Sequence, residues 1–178
     1  MITGRDLSRE EIDRVWEIDR REIIENIYYL EDGGLVLKPE HYNIAGWPPG
    51  EAEVYTPLFL DCFDRRGWFH GLFDNGRLVG IVILENKFIG SCSDLLQLKF
   101  LHVSSAYRGQ GLGGRLYRMA EERAHTLGAK GLYISATPSQ NTVDFYLRRG
   151  ARVAKQPDPE LFALEPEDIH LECAIERG

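Results

Sequence analysis

Apolar residues recur at helical spacing in the first third of this chain, alternate or run together from Trp68, and then fall into short strand and helix patterns to the end. Ser8 followed by Glu11 is a capping-box pattern, and Ile12, Val15, Trp16, Ile23 and Ile27 lie near helical spacing. Together they predict a first helix from about Arg9 to Ile27. Tyr28 to Gly50 holds Asp32-Gly33-Gly34 and Gly46-Trp47-Pro48-Pro49-Gly50. That is too many breakers for a long element, and a loop region, with room for a short hairpin, is expected. Val54, Leu58 and Cys62 resume the helical pattern, so Glu51 to Arg66 reads as a second helix closed by Gly67.

From Trp68 the pattern is that of strands. Asp74-Asn75-Gly76 joins Trp68–Phe73 to Leu78–Phe88 as a hairpin, because Asn-Gly accepts the positive φ angles of a tight turn. Leu95 to Val103 is a third strand. Leu112, Leu116, Ala120, Ala124 and Leu127 then predict a helix over Gly111 to Leu127 with Gly128 as its C-cap. Gly131–Ala136 reads as a strand, Thr142–Arg149 as a short helix ended by Gly150, and Ile169–Ile175 as a last strand. The order predicts an α/β fold with a mixed sheet.

At 178 residues the chain has the length of one globular domain, and no internal repeat or long linker divides it, so 1–178 is expected to be a single domain. No apolar run reaches the roughly 20 residues that cross a bilayer, and Met1 to Asp6 lacks the form of a signal peptide, which points to the cytoplasm. A net charge of −7 argues against nucleic acid or an anionic membrane as partner and favours a cationic one. Cys62, Cys92 and Cys173 have no metal-ligand spacing, so free thiols and no metal are expected.

The candidate chemistry lies in Leu101-His102-Val103-Ser104-Ser105-Ala106-Tyr107-Arg108-Gly109-Gln110-Gly111-Leu112-Gly113-Gly114, which runs from a strand through glycines into a helix. Unpaired N–H groups at a helix N-terminus bind phosphate oxygens, and four glycines among the six residues from Gly109 exceed what a turn alone needs. Gly109, Gly111 and Gly114 also satisfy G-x-G-x-x-G, but the next strand ends Ile134-Ser135-Ala136-Thr137 without the acid that a dinucleotide fold places there. A nucleoside-triphosphate loop motif is absent as well.

Arg108-Gly109-Gln110-Gly111-Leu112-Gly113 resembles the acetyl-CoA signature of the GNAT N-acetyltransferases, and Asn141-Thr142-Val143-Asp144-Phe145-Tyr146-Leu147-Arg148-Arg149-Gly150 resembles that family's second motif. Ala151 stands where an aromatic is usual. The resemblance implies a twisted, mostly antiparallel mixed sheet flanked by helices, with splayed central strands. It also implies acetyl-CoA as cosubstrate, held by Arg108, Gly109, Gln110, Gly111, Leu112, Gly113 and Gly114 at its pyrophosphate and by the backbone of Leu101, His102 and Val103 at its pantetheine. In the same way it implies that the Leu101 amide meets the thioester carbonyl, that Tyr146 faces the sulfur as the acid, and that Asn141, at the N-cap of its helix, contacts the CoA.

Many relatives carry a glutamate base six positions ahead of Val103, where this chain has Gln97, which takes up no proton at neutral pH. Asp94, Glu85 and His102 are the nearby alternatives, and none is assigned. The expected function is transfer of acetyl to a primary amine of a small molecule or peptide, by direct attack in a ternary complex. A CoA-binding sensor without turnover and an enzyme for longer acyl-CoA are the competing readings. In the family the first two helices cover the acceptor. Their counterpart here, Glu17 to Asp64, is rich in acids and aromatics such as Glu17, Asp19, Glu25, Tyr28, Tyr29 and Trp47, which suits a cationic acceptor. A homodimer is compatible with the sequence.

Overall fold

The computed structural model describes residues 1–176. The chain gathers into two compact units, the first made of Met1–Glu22, Ile44–Asn86 and Leu98–Glu122, the second of Ile23–Asn43, Lys87–Gln97 and the chain from Arg123 on. The fold is α/β, with a mixed, mostly antiparallel sheet flanked by helices.

In the first unit β1 (Ile2–Asp6) pairs antiparallel with β4 (Trp68–Asp74), from Ile2↔Asp74 to Asp6↔His70, and β4 pairs antiparallel with β5 (Arg77–Ile89). The β4–β5 turn forms as its sequence requires, with Asn75 at φ 49° and Gly76 at φ 79°. β5 is buried from Leu78 to Glu85, as a strand covered on both faces must be. Its side chains Leu78, Ile81 and Ile83 share a core with Ile12, Val15, Phe59 and Phe69. α1 (Glu51–Asp64) matches expectation and ends where the Gly67 N–H donates to the Cys62 carbonyl at 2.7 Å. Cys62, Cys92 and Cys173 are all free thiols, and burial pushes the Cys62 thiol up to about 12.

The long first helix and the loop region expected from Tyr28 to Gly50 are both corrected. The helical segment is a 3-10 turn over Arg9–Glu17, closed by Ile18 in extended conformation at φ −62°, ψ 124°. The next residues form a hairpin in the second unit, β2 (Glu22–Glu31) and β3 (Gly34–Ile44), joined through Asp32 and Gly33, both at positive φ. The spacing of Ile23 and Ile27 is only coincidentally helical: Ile27 is buried while Ile23 is 59% exposed. β-branched Ile23, Ile24 and Ile27 with Tyr28 and Tyr29 are strand formers, and the hairpin turn gives them a partner.

Elsewhere in the second unit β6 (Leu95–Val103) begins parallel to β7 (Gly131–Ala136), and the registered pairs end at Gln97↔Tyr133. β7 pairs antiparallel with β9 (Ile169–Ala174), and β9 with the short β8 (Arg152–Val153). Between them lie α3 (Gln140–Leu147) and α4 (Pro159–Leu164). Neither β8 nor α4 is expected from periodicity, since both are too short to have one. α4 carries a sequence signal all the same. Asp158 precedes Pro159, and its carboxylate accepts the N–H groups of Glu160 and Leu161 at 3.0 and 3.1 Å.

Candidate active site

The glycine loop connects β6 to α2 (Leu112–Thr126) and belongs to the first unit. Gly109 at φ 76° and Gly111 at φ 79° are left-handed, which side chains resist, and a Cβ on either would meet nothing within 4 Å. The chain turns there into a helix whose first bonded amide is that of Arg115, donating to the Gly111 carbonyl at 3.0 Å. The N–H groups of Leu112, Gly113 and Gly114 therefore precede the hydrogen-bond ladder and lie at the positive end of the helix dipole. Phosphate oxygens fit such a group of donors.

Arg108 behaves differently from its neighbours. Its N–H donates to the Ser105 carbonyl at 3.3 Å, and its guanidinium bonds the carbonyls of Val103, Arg21 and Asp19 at 2.9, 2.8 and 3.4 Å. The side chain is a brace. A second brace comes from Asp19, whose carboxylate accepts from the Ser105 hydroxyl at 2.7 Å and from Arg21, while its backbone N–H donates to the Ser104 hydroxyl at 2.9 Å. Arg21, and after it Ser105, holds the Asp19 carboxyl well below the usual range. Tyr107 ties the turn to Asp74 at 2.8 Å. The loop is thus fastened by side chains on both flanks and offers backbone amides at its centre.

Leu101, His102 and Val103 are half-buried on the last residues of β6. His102 packs against Phe100 and Trp47, with ring centroids 4.4 and 5.0 Å away. Burial, then the charges of Arg20 and Arg108, push its imidazole down to about 3, so it is neutral at physiological pH and a feeble base. Burial also works against a charge on Glu85, but the Arg65 guanidinium at 2.7 and 3.1 Å, the Asn86 amide and Lys99 at 3.7 Å outweigh it and keep the carboxyl below its usual range. Gln97 is buried opposite Tyr133, and Asp94 lies 3.9 Å from Lys130. Of the three alternatives to Gln97, Glu85 and His102 are thus poorly suited to take a proton at neutral pH.

Asn141 and Tyr146 belong to the second unit, on α3. The capping role expected of Asn141 is corrected: Ser139 is the N-cap, and Asn141 is an exposed residue of the first helical turn. The expectation placed the helix start two residues late. Tyr146 is buried, and burial raises its phenol above its ordinary value of about 10, with Arg149 pulling the other way. The hydroxyl stays protonated at neutral pH and is a hydrogen-bond donor.

Residues 25–151 match the profile of the acetyltransferase (GNAT) family, well over half of the chain. The chain belongs to the GNAT acetyltransferase family. Glucosamine 6-phosphate N-acetyltransferase 1 of Oryza sativa subsp. japonica is 36% identical over 77 residues, 42% of this GNAT chain and 46% of that relative, so the chain matches less than half of the relative's length. Among solved structures, nourseothricin acetyltransferase superposes with a TM-score of 0.71 at 16% identity, covering 98% of this chain and 99% of the other. A Bacillus anthracis str. Ames protein assigned as a streptothricin acetyltransferase, solved with acetyl coenzyme A, superposes with a TM-score of 0.72 at 16% identity over 99% of both chains. At such identities the structural likeness establishes the GNAT fold. Among the described residues no helix is long and apolar enough to cross a membrane.

Proposed function

We propose that this chain transfers the acetyl group of acetyl-CoA to a primary amine of a small molecule or peptide, by direct attack in a ternary complex, as one catalytic domain of the cytoplasm. The observation that carries the reading is the open row of amides at Leu112, Gly113 and Gly114 behind two left-handed glycines. A pyrophosphate matches it in charge and in donor number.

In this reading the loop amides hold the pyrophosphate, and Arg108 keeps the loop in shape from behind. The backbone of Leu101, His102 and Val103 receives the pantetheine, and the Leu101 N–H points its dipole at the thioester oxygen, where negative charge grows as the amine attacks. A C–N bond forms, the C–S bond breaks, and the amine gives up one proton. Tyr146 steadies the departing sulfur. Its raised pKa makes full proton transfer to a thiolate of ordinary pKa near 8.5 uphill, so its contribution is a donated hydrogen bond. Asn141, on the first turn of α3, contacts the CoA backbone. No single side chain is assigned as base, and water carries the amine proton away.

The test is thiol release by purified protein given acetyl-CoA and a panel of amines. Release that depends on an amine and yields its N-acetyl product supports the reading. Acetyl-CoA binding without release on any amine would leave a CoA-binding module, and faster release with longer acyl-CoA would revise the acyl group.

A further inference from the structure

The second unit contains a cavity of about 480 Å³ that the reading above does not use. Its walls come from the β2–β3 hairpin, from Pro138 ahead of α3, and from the segment between β8 and β9. Four phenol or phenyl residues, Tyr28, Tyr29, Tyr42 and Phe162, line it, together with Glu40, Glu167 and Asp168. No lysine or arginine is among the lining residues. His170 also faces it, with both ring nitrogens engaged, by the Tyr133 hydroxyl at 2.7 Å and by the Glu165 carbonyl at 3.0 Å.

Glu40 sets the character of the cavity. Its carboxylate accepts the hydroxyls of Tyr29 and, at 2.8 Å, of Tyr42, and these bonds, with the charge of Lys38 acting from beyond ion-pair distance, hold its carboxyl below the usual range. A phenol satisfies a carboxylate's hydrogen bonding without cancelling its charge, whereas Glu31 of the same hairpin is paired with Lys38, and Glu25 lies 3.1 Å from the His41 ring. Lys38 also lies 4.9 Å over the Tyr29 ring, outside the lining. Aromatic faces around the Glu40 carboxylate, in a space of this size with no lysine or arginine in its lining, suit an organic ammonium ion. A phosphate or carboxylate group would meet the like charge of Glu40.

The cavity is tied to the helix that carries Tyr146. The Tyr28 N–H donates to the Pro138 carbonyl at 2.8 Å, Ile27 bridges to Ser139, and the Tyr28 hydroxyl donates to Asp144 on α3 at 2.7 Å. We infer that the cavity between the hairpin and the β8–β9 segment is the acceptor pocket, and that it selects an acceptor carrying an ammonium group besides the amine that is acetylated. Calling this ligand an acceptor rests on the acetyltransferase reading. The cavity's preference for an organic cation does not.

Calorimetric titration of the full chain with spermidine, a linear triamine, tests the inference, with glucosamine 6-phosphate as the anionic amine. Wild type is expected to bind spermidine in a saturable way, more weakly as salt rises, and more tightly than glucosamine 6-phosphate. Glu40→Gln should raise the spermidine Kd by about tenfold, the loss of one charge-assisted contact. Tyr42→Ala, at a residue already 46% exposed, should raise it by about threefold. Both variants should bind acetyl-CoA as wild type does. Wild type that fails to bind spermidine, variants that bind it unchanged, or tighter binding of the phosphate each overturn the assignment. A parallel thiol-release assay separates the two readings. Turnover without Glu40-dependent binding removes the cavity and keeps the enzyme; Glu40-dependent binding without turnover on any amine keeps the cavity and removes the enzyme.

Discussion

At the glycine loop Asp19, Asp74 and Arg108 are each matched by close partners, whereas at the hairpin cavity Glu40 accepts two phenol hydroxyls and makes no ion pair within 4 Å among the described residues. At the loop, Asp19 has Arg21, Asp74 has Tyr107 and the amino terminus, and the Arg108 guanidinium is spent on three carbonyls. The attraction left over is that of backbone dipoles, which have a fixed direction and suit an anion of known geometry. At the cavity Glu40 faces two phenols, so its negative charge persists and spreads over a wide space. The first arrangement suits one chemical group closely. The second admits a class of molecules by charge.

Gly113→Val should break the loop side alone and have the largest effect. Gly113 is helical, so valine costs the helix little, but its side chain stands where phosphate must approach. A Kd for acetyl-CoA raised by about a hundredfold is expected in calorimetry, with spermidine binding intact. Gly111→Val is a poorer test because its φ of 79° strains any side chain. Tyr146→Phe comes next. It should lower kcat by about tenfold or more with the acetyl-CoA Kd unchanged, measured by steady-state kinetics beside calorimetry, since only a bond to the departing sulfur is lost.

His102 sharpens the comparison through pH. Its folded pKa of about 3 lies below the unfolded value near 6.5, so the unfolded chain takes up the proton first as pH falls. The stability it contributes is fully present above about pH 6.5 and is lost as pH falls toward 3. Urea unfolding at pH 6.5 and 5.0 should show His102→Phe losing less than wild type, by up to about 1.5 kcal/mol. Asp19→Ala should have the smallest effect, raising the acetyl-CoA Kd by about threefold through a looser Ser104–Ser105 turn, as one exposed hydrogen-bonded brace is worth. A spermidine Kd that moves with it would blur the distinction between the two regions.

Much of the first unit was legible in the sequence. α1, the β4–β5 hairpin, β6 and the loop into α2 all carry their own local code: a period, a capping residue or an Asn-Gly turn. The same holds for β7. The hairpin β2–β3 was not legible, because Ile23 and Ile27 fit a helix as well as a strand and only pairing between strands decides between them. β1 and β8 are too short to show a period, and each becomes a strand by adding to an edge that another segment supplies. That Asp19, counted among the acids of the acceptor side, also fastens the loop was not legible, since its partners Ser104 and Ser105 lie far along the chain.

What the sequence determined by itself is the family and the form of the glycine loop. Both reside in contiguous residues whose backbone angles and unpaired amides follow from glycine content and helix position. Tertiary structure alone decided which partner each carboxylate meets. Glu17, Asp19, Glu25, Glu31 and Glu40 look alike in sequence, but four of them meet a basic side chain and Glu40 meets two phenols. Pairing of that kind depends on which side chains are brought within hydrogen-bond reach across the fold, and no local pattern encodes it.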